Sequence, residues 1–504
     1  MELPAAPPTF SRRWAEAVAG APDAPFLQFE AAGGAVARWT YGEFDDVVAR
    51  VAGRLAAAGA GRGSRVHLAL ANCPAFVAVW LATARLGASM VPSDPRSTTR
   101  ELGVHLDRTR PVAGICARTR ADVYRPAAPA GMPVIAVGED GEIDAALLGD
   151  PAPAAADVAG DAEAAVLFTS GTTSTPKGVV ITQANFAFVA DVMAAAARLG
   201  PRDRFLVVLP LFHANAQYYC FAPAIAVGAS VALVSAFSAS RFFAQAARHE
   251  ATHVSLFAAP IRMILARGAE RVDGLRVRHA WYAQRLTEDE YDRFAALLGC
   301  RPRELYGMTE TMAAVLSGRE TAGWREAIGG PTVGARVALL PSADADEREI
   351  AVAGRRGIEL FAGYLDDPET TEAAFDGEWF RTGDLGRLDD RGDVVFGGRR
   401  GEFLKVSGEN ISVIEVESVL TAHDGVMEAA VVGRPDPIRD EVPVAFVVPA
   451  AGAALDADEL LAYCAQRLAP AKRPADVRLV DELPRTSVGK IKKYVLRREA
   501  GSAP

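Results

Sequence analysis

The sequence predicts an α/β fold: a large domain of several subdomains, in which helices flank sheets, followed by a small α+β domain. Length is the first observation, because 504 residues, half of them hydrophobic, exceed what one compact core accommodates. Alternation is the second: from about Thr40 to Arg400, apolar runs of strand length take turns with alanine-rich helical stretches. The third is a change of texture after Gly397-Gly-Arg-Arg-Gly401, where about a hundred residues of mixed elements suffice for a domain of their own.

In chain order, Arg65-Val-His-Leu-Ala-Leu-Ala71 reads as a buried strand and Phe76–Leu86 as a helix. Ala145–Asp161 is rich in proline, alanine and acid and lacks periodicity, as a surface connection does. Leu167–Ile181 places a hydroxyl- and glycine-rich loop between two strands, and Asp203–Pro210 is the next strand. Ala214–Ser240 carries no charged residue and is long enough to span a bilayer. Pro223 and Gly228 interrupt it, so a helix, a turn and a strand at Val231–Ser235 are expected inside a soluble core. In the small domain a helix is expected at Val413–Ala422, strands near Glu428–Val432 and Val444–Val448, and a helix at Ala457–Leu468.

Composition removes several function classes. A formal charge of -9 leaves no general basic footprint for nucleic acid. Cys73, Cys116, Cys220, Cys300 and Cys464 lie far apart, without a C-x-x-C pair or a histidine cluster, as expected of buried thiols in a reducing cytosol. The N-terminus has neither the basic region nor the apolar run of a secretory signal, so a cytoplasmic protein without a membrane partner is expected.

The loop carries the first chemical signal. Thr169, Ser170, Thr172, Thr173, Ser174 and Thr175 offer hydroxyl donors beside backbone N–H groups, Gly171 permits close approach, and Lys177 adds positive charge, a set suited to a polyphosphate. A Walker loop would open a helix with Gly-Lys-Ser/Thr, whereas Lys177 is followed by Gly178 and the β-branched Val179-Val-Ile181. Further signals are Leu305-Tyr-Gly-Met-Thr-Glu-Thr311, Trp379-Phe-Arg-Thr-Gly-Asp-Leu-Gly386, Gly398-Arg399, Ser407-Gly-Glu-Asn410 and Pro484-Arg-Thr-Ser-Val-Gly-Lys490.

In order and spacing these segments resemble the adenylate-forming superfamily of acyl-CoA synthetases, luciferases and peptide-synthetase adenylation domains, from Thr40-Tyr41 to Lys490. They are similar in particular to the carnitine and crotonobetaine CoA ligases, with which Ile438-Arg-Asp-Glu441 is shared. The resemblance implies ATP, Mg²⁺ and coenzyme A as small-molecule partners, and domain alternation between two half-reactions. It places a large adenylation domain at 1–398, a hinge at 399–402 and a small mobile domain at 403–504.

What the resemblance implies for single residues fits the chemistry of a carboxylate attacking the α-phosphorus of ATP. Glu310 would hold Mg²⁺ as a hard oxygen ligand with Thr169 beside it, and Thr309 would bond the α-phosphate. Tyr306 would lie on adenine, Asp384 would accept from both ribose hydroxyls, and Arg399 would reach ribose and phosphate. Lys405, Gly408 and Glu409 belong to the cofactor-binding set, the loop at Gly408 being where relatives thread pantetheine. Lys490 would bridge the attacking carboxylate and the phosphoryl oxygens. At the hinge, Gly401 stands where relatives carry Asp or Lys, and glycine absorbs a large backbone rotation without steric penalty.

The acid pocket is more individual. Pro210-Leu-Phe-His213 matches an aromatic-histidine gate, with Asn215 and Gln217 adding more polarity than a fatty-acid tunnel wants. The usual Gly-Gly-Ala-Pro stretch is replaced by Ala280-Trp-Tyr-Ala-Gln284, so Trp281, Tyr282 and Gln284 add bulk that shortens the pocket or caps it with aromatic faces. Such faces hold an ammonium group or stack on an aryl acid. The expected activity is activation of a small polar or aromatic acid to its adenylate, then transfer to CoA. A carrier-protein thiol, an amine or nitrite as acceptor, and a homodimer, remain open.

Overall fold

The structure is a computed structural model and describes residues 8–153, 158–169, 176–319, 323–342, 348–399, 403–406, 409–436, 439–468, 470–485 and 491–501. The chain divides into two compact units, Met1–Val337 with Val352–Phe380, and Ala338–Ala351 with Arg381–Pro504.

Two large sheets organise the first unit. One runs Gly363–Tyr364, Lys177–Thr182, Glu163–Thr169, Ser89–Pro92, Arg65–Ala69, Ala113–Ala117, Val134–Val137. Its strands from Ser89–Pro92 to Val134–Val137 are parallel, and Glu163–Thr169 turns back antiparallel into Lys177–Thr182. The expected pair of strands around the hydroxyl-rich loop is therefore present. The other sheet runs Gly330–Pro331, Leu316–Ser317, Arg303–Tyr306, His279–Ala283, His253–Phe257, Arg204–Val207, Ser230–Val234, Pro25–Glu30, Val36–Thr40. It is parallel between Arg303–Tyr306 and Pro25–Glu30 and antiparallel at its edges.

Helices occupy the space between these sheets. Pro74–Leu86 is apolar all round and buried everywhere except Arg85, which is what a helix enclosed on every side requires. Gln183–Ala196 packs on the seven-stranded sheet, Gln217–Val227 on the nine-stranded one, and the two helical segments pack on each other. The rings of Phe10, Trp80, Phe186 and Phe221 meet between them at centroid distances of 5.1–6.2 Å.

The uncharged stretch Ala214–Ser240 resolves as expected: a one-turn helix, a π-helical turn at Gln217–Phe221, a helix Ala222–Val227, a left-handed Gly228 and the strand Ser230–Val234. No described helix is long and apolar enough to cross a membrane. Among its described residues Ala145–Asp161 is largely exposed, as its composition suggested, and its backbone is also tied by hydrogen bonds to two helices. The N–H groups of Gly149 and Ala152 bond the carbonyls of Arg50 and Ala49 on helix Tyr41–Ala57, and Arg85 donates to the Ala152 carbonyl. Backbone pairing of this kind leaves no trace in side-chain pattern.

In the second unit the strands Val426–Asp436 and Asp440–Pro449 pair antiparallel, with Phe403–Val406, Glu409–Ser412 and Asp476–Leu479 extending the sheet. Side-chain alternation feeds two cores. Val431, Ala445 and Val447 face helices Val413–Thr421 and Ala457–Arg467, while Val432, Val444 and Phe446 face helix Lys493–Gly501. Residues 400–402, which hold most of the proposed hinge, lie outside the described residues.

Candidate active site

The turn after strand Arg303–Tyr306 is fixed by a close approach. A Cβ on Gly307 would stand 2.7 Å from the Tyr219 hydroxyl and 2.9 Å from the Ala313 carbonyl, so the position admits no side chain. Tyr306 ends the strand, and Thr309 and Glu310 follow on a 3-10 turn, Thr309–Thr311, pinned by the Thr311 hydroxyl, which accepts from the Met308 N–H. Met312 leaves that turn fully buried at φ 57°, a conformation that costs a non-glycine residue energy and is held by its surroundings.

Glu310 is thereby buried, at 4% exposure, with its carbonyl accepting from the Phe361 N–H. Its carboxylate accepts from the Tyr364 hydroxyl at 3.1 Å, and the Lys177 ammonium lies 4.6 Å from the centroid of the same tyrosine ring. Thr169 and Lys177 face each other across the two strands that flank the loop. One tyrosine thus ties the predicted lysine to the predicted carboxylate. Tyr364 was missed because a lone Gly-Tyr pair carries no spacing signal; its place comes from pairing opposite Val179.

In the second unit Asp384 stands opposite Arg399 on an antiparallel pair, with carboxylate and guanidinium 3.7 Å apart. The turn before it is held from below by the fully buried Glu349, which accepts from Arg381 at 2.9 Å and from the Gly383 N–H at 2.9 Å. Glu349 is another residue that the sequence did not single out. Lys405 and Glu409 lie on paired strands. Ser170, Gly171, Thr172, Thr173, Gly408 and Lys490 lie outside the described residues.

The residues of the expected acid pocket are distributed unevenly. His213 precedes the helix Ala214–Ala216, half-buried, its ring 4.3 Å from that of Phe212. Asn215 accepts from Ser255 at 3.0 Å, and Gln217 donates to the Leu211 carbonyl at 2.7 Å. Trp281 is the register partner of Ser255 and also of Arg303, whose guanidinium sits 4.9 Å from the indole centroid. Tyr282, the next residue of the strand, points to the opposite face, where it joins the core with Leu256 and Phe294 and its hydroxyl meets Glu304 at 3.4 Å. The two rings form no shared wall, and Gln284 is exposed at φ 73° beyond the strand end.

Desolvation pushes the Glu304 carboxyl up to about 7, partly offset by Arg285 and Tyr282. Several buried polar atoms of these segments have no hydrogen-bond partner among the described residues: Asn215 Nδ2, Gln217 Oε1, Tyr218 Oη, His279 Nε2 and Trp281 Nε1. Among the described residues no cluster of three or more His, Cys, Asp or Glu side chains could hold a metal ion. A lone carboxylate is still compatible with Mg²⁺, which keeps several waters and takes one or two carboxylates beside substrate phosphates.

A two-sheet α/β unit with a hydroxyl-rich loop between antiparallel strands, a Tyr-Gly-x-Thr-Glu turn with its glutamate buried and a separate α+β unit define the adenylate-forming class. The chain belongs to the AMP-binding enzyme family, whose model matches residues 14–365; that of the AMP-binding enzyme C-terminal domain matches 415–490. It is 32% identical to the crotonobetaine/carnitine–CoA ligase of Citrobacter koseri, over 94% of this chain and 95% of the relative. Among solved structures, ATP-bound MatB from Rhodopseudomonas palustris superposes with a TM-score of 0.87 at 28% identity, covering 97% of this chain and 98% of that one. A benzoate CoA ligase from Burkholderia xenovorans superposes at 0.86 and 26% identity, covering 97% and 99%. The chain is an adenylate-forming enzyme that binds ATP and activates a carboxylic acid.

Proposed function

We propose that the enzyme converts a small polar carboxylic acid to its acyl-adenylate and transfers the acyl group to coenzyme A, acting in the cytoplasm. Support for CoA comes from similarity to named CoA ligases along nearly the whole chain, the smaller domain included. In the first half-reaction a carboxylate oxygen bonds the α-phosphorus while the bond to the bridging oxygen breaks and pyrophosphate leaves. Lys177 and the loop hydroxyls Thr169, Ser170, Thr172 and Thr173, with Gly171, would hold the phosphates, Thr309 the α-phosphate, Tyr306 the adenine, and Asp384 and Arg399 the ribose. Lys490 would steady the charge that develops between acid and phosphate. Glu310, with Thr169, would hold Mg²⁺, which when bound neutralises phosphate charge. Lys405, Gly408 and Glu409 would serve the second half-reaction.

The observation that carries the acid class is the state of Trp281. It stands in the segment that replaces the usual Gly-Gly-Ala-Pro stretch, and at 1% exposure it fills space that the smaller residues would leave open. Its indole lies beside the Arg303 cation, and Tyr282 is turned to the opposite face, so these two rings do not pair as walls of a cage for a quaternary ammonium. Asn215, Gln217 and Trp281 each bury an atom without a hydrogen-bond partner among the described residues, which favours an acid with a hydrogen-bonding tail over an alkyl, aryl or betaine acid.

Pyrophosphate release measured over short hydroxy, oxo and dicarboxylic acids, betaines and aryl acids, with and without CoA, tests both parts. Acid-dependent release with accumulating acyl-CoA from a short polar acid is the expected result. Adenylate without thioester would move the acceptor to a carrier thiol, an amine or nitrite. A betaine turned over best would overturn the acid class and leave the adenylation standing.

A further inference from the structure

A buried polar chain runs through the seven-stranded sheet to the strand ends that carry Thr169 and Lys177. The Tyr124 hydroxyl meets His67 Nδ1 at 2.6 Å, His67 Nε2 meets the Ser93 hydroxyl at 2.8 Å, and that hydroxyl meets His105 Nδ1 at 2.7 Å. His67 is fully buried, Tyr124 is 1% exposed and Ser93 is 2% exposed. Gly114, in register with His67, is what admits the phenol, since a Cβ there would lie 2.4 Å from the Tyr124 oxygen. Among the described residues Tyr124 has only His67 to receive its proton, which sets the direction of the rest. Tyr124 donates to His67, His67 donates through Nε2 to Ser93, and Ser93 donates to His105, whose remaining N–H is Nε2. Burial pushes His67 down to about 3 and His105 down to about 4, so the chain is neutral at physiological pH.

The chain ends against the nucleotide loop. The His105 ring stacks on Phe168 at 3.9 Å with an interplanar angle of 3°. Arg108, one turn further along helix Thr99–Thr109, donates to the Pro176 carbonyl and lies 5.3 Å from the same Phe168 ring. Phe168 directly precedes Thr169, and Pro176 directly precedes Lys177. One helix face therefore grips both described ends of the loop segment.

We propose that His105 and Arg108 are positioning residues for the triphosphate, fixing the strand ends that bear Thr169 and Lys177, with Tyr124, His67 and Ser93 locking the His105 ring against Phe168. This rests on reading the Thr169–Lys177 segment as the phosphate grip. A packing role alone would not distinguish triphosphate from monophosphate, whereas a role in aiming the grip does.

The test is calorimetric titration of the full-length protein with a non-hydrolysable ATP analogue and, separately, with AMP. His105→Ala and Arg108→Met are each expected to weaken the analogue about tenfold and AMP less than about twofold, as a small misplacement of a binding group would. His105→Phe keeps a stacking plane without ring nitrogens and is expected to recover the analogue to within about threefold. Equal losses for both ligands, or undiminished analogue affinity in His105→Phe and Arg108→Met together with any folded His105→Ala, overturn the proposal. Wild-type protein that binds AMP but not the analogue removes the phosphate grip itself, a failure distinct from that of the brace.

Discussion

The nucleotide side and the acid side of the first unit are built on opposite principles. On the proposed nucleotide side Glu310 accepts from Tyr364, Lys177 lies over that ring, and the flanking strands are gripped by His105 and Arg108. On the acid side the polar atoms are buried but left open, at Asn215 Nδ2, Gln217 Oε1 and Trp281 Nε1. A buried unmatched polar atom costs about 1–3 kcal/mol. ATP is the same molecule for every member of the class, so its site can be finished in advance. The acid distinguishes one enzyme from another, and in the proposed reading these atoms would keep hydrogen-bonding capacity for a particular acid.

The largest expected effect comes from the second unit, on removing the charge that the proposed mechanism assigns to Lys490. Lys490→Ala is expected to slow adenylation by about 10² to 10³, the usual cost of losing a preorganised charge-stabilising contact, with thioester formation from supplied adenylate much less affected. Single-turnover pyrophosphate release reads it, and an unchanged rate refutes the role. Next in size, Tyr364→Phe keeps the ring beside Lys177 and deletes the bond to Glu310. Its kcat/KM for ATP is expected to fall roughly tenfold with the acid KM steady, since a hydrogen bond to a charged group is worth about 1.5–3 kcal/mol.

On the acid side, Trp281→Ala is expected to reverse the preference between acids: short acids lose about five- to tenfold in kcat/KM and longer or aryl acids gain. The same variant should be less stable by about 3–5 kcal/mol, as for other truncations of a large buried aromatic. Lost stability with an unaltered ranking of acids would remove Trp281 from the pocket.

The smallest effect is read in pH. His253 and His279 share the Trp281 face, and burial pushes them down to about 4 and about 2, with Arg278 opposing both charges, Asp203 supporting that of His253, and Arg303 and Arg198 opposing that of His279. Their unfolded values lie near 6.5, so below that pH the unfolded chain binds protons that the folded chain refuses. The stability of the wild type should be complete above about pH 6.5 and decline as pH falls toward 4. A melting temperature flat from pH 7 to 5 would refute neutral burial, and His279→Phe should make the decline shallower.

Without coordinates the layered α/β order with its α+β companion was legible, and the loop from Thr169 to Lys177, the Tyr306–Glu310 segment and Asp384 with Arg399 could be proposed as carriers of the chemistry. Each is written in contiguous residues, where local spacing sets local geometry. Only the tertiary structure decided that Tyr364 would join Lys177 to Glu310, that Glu349 would hold the turn at Gly383, and that a docked backbone would follow Ala145. It also decided that Trp281 and Tyr282 would part to opposite faces of one strand. Trp281 and Tyr282 part by the alternation of side chains along their strand; the first three share another physical reason. A contact between residues distant in the chain depends on strand register and sheet order, and in a strand a shift of one position exchanges the two faces.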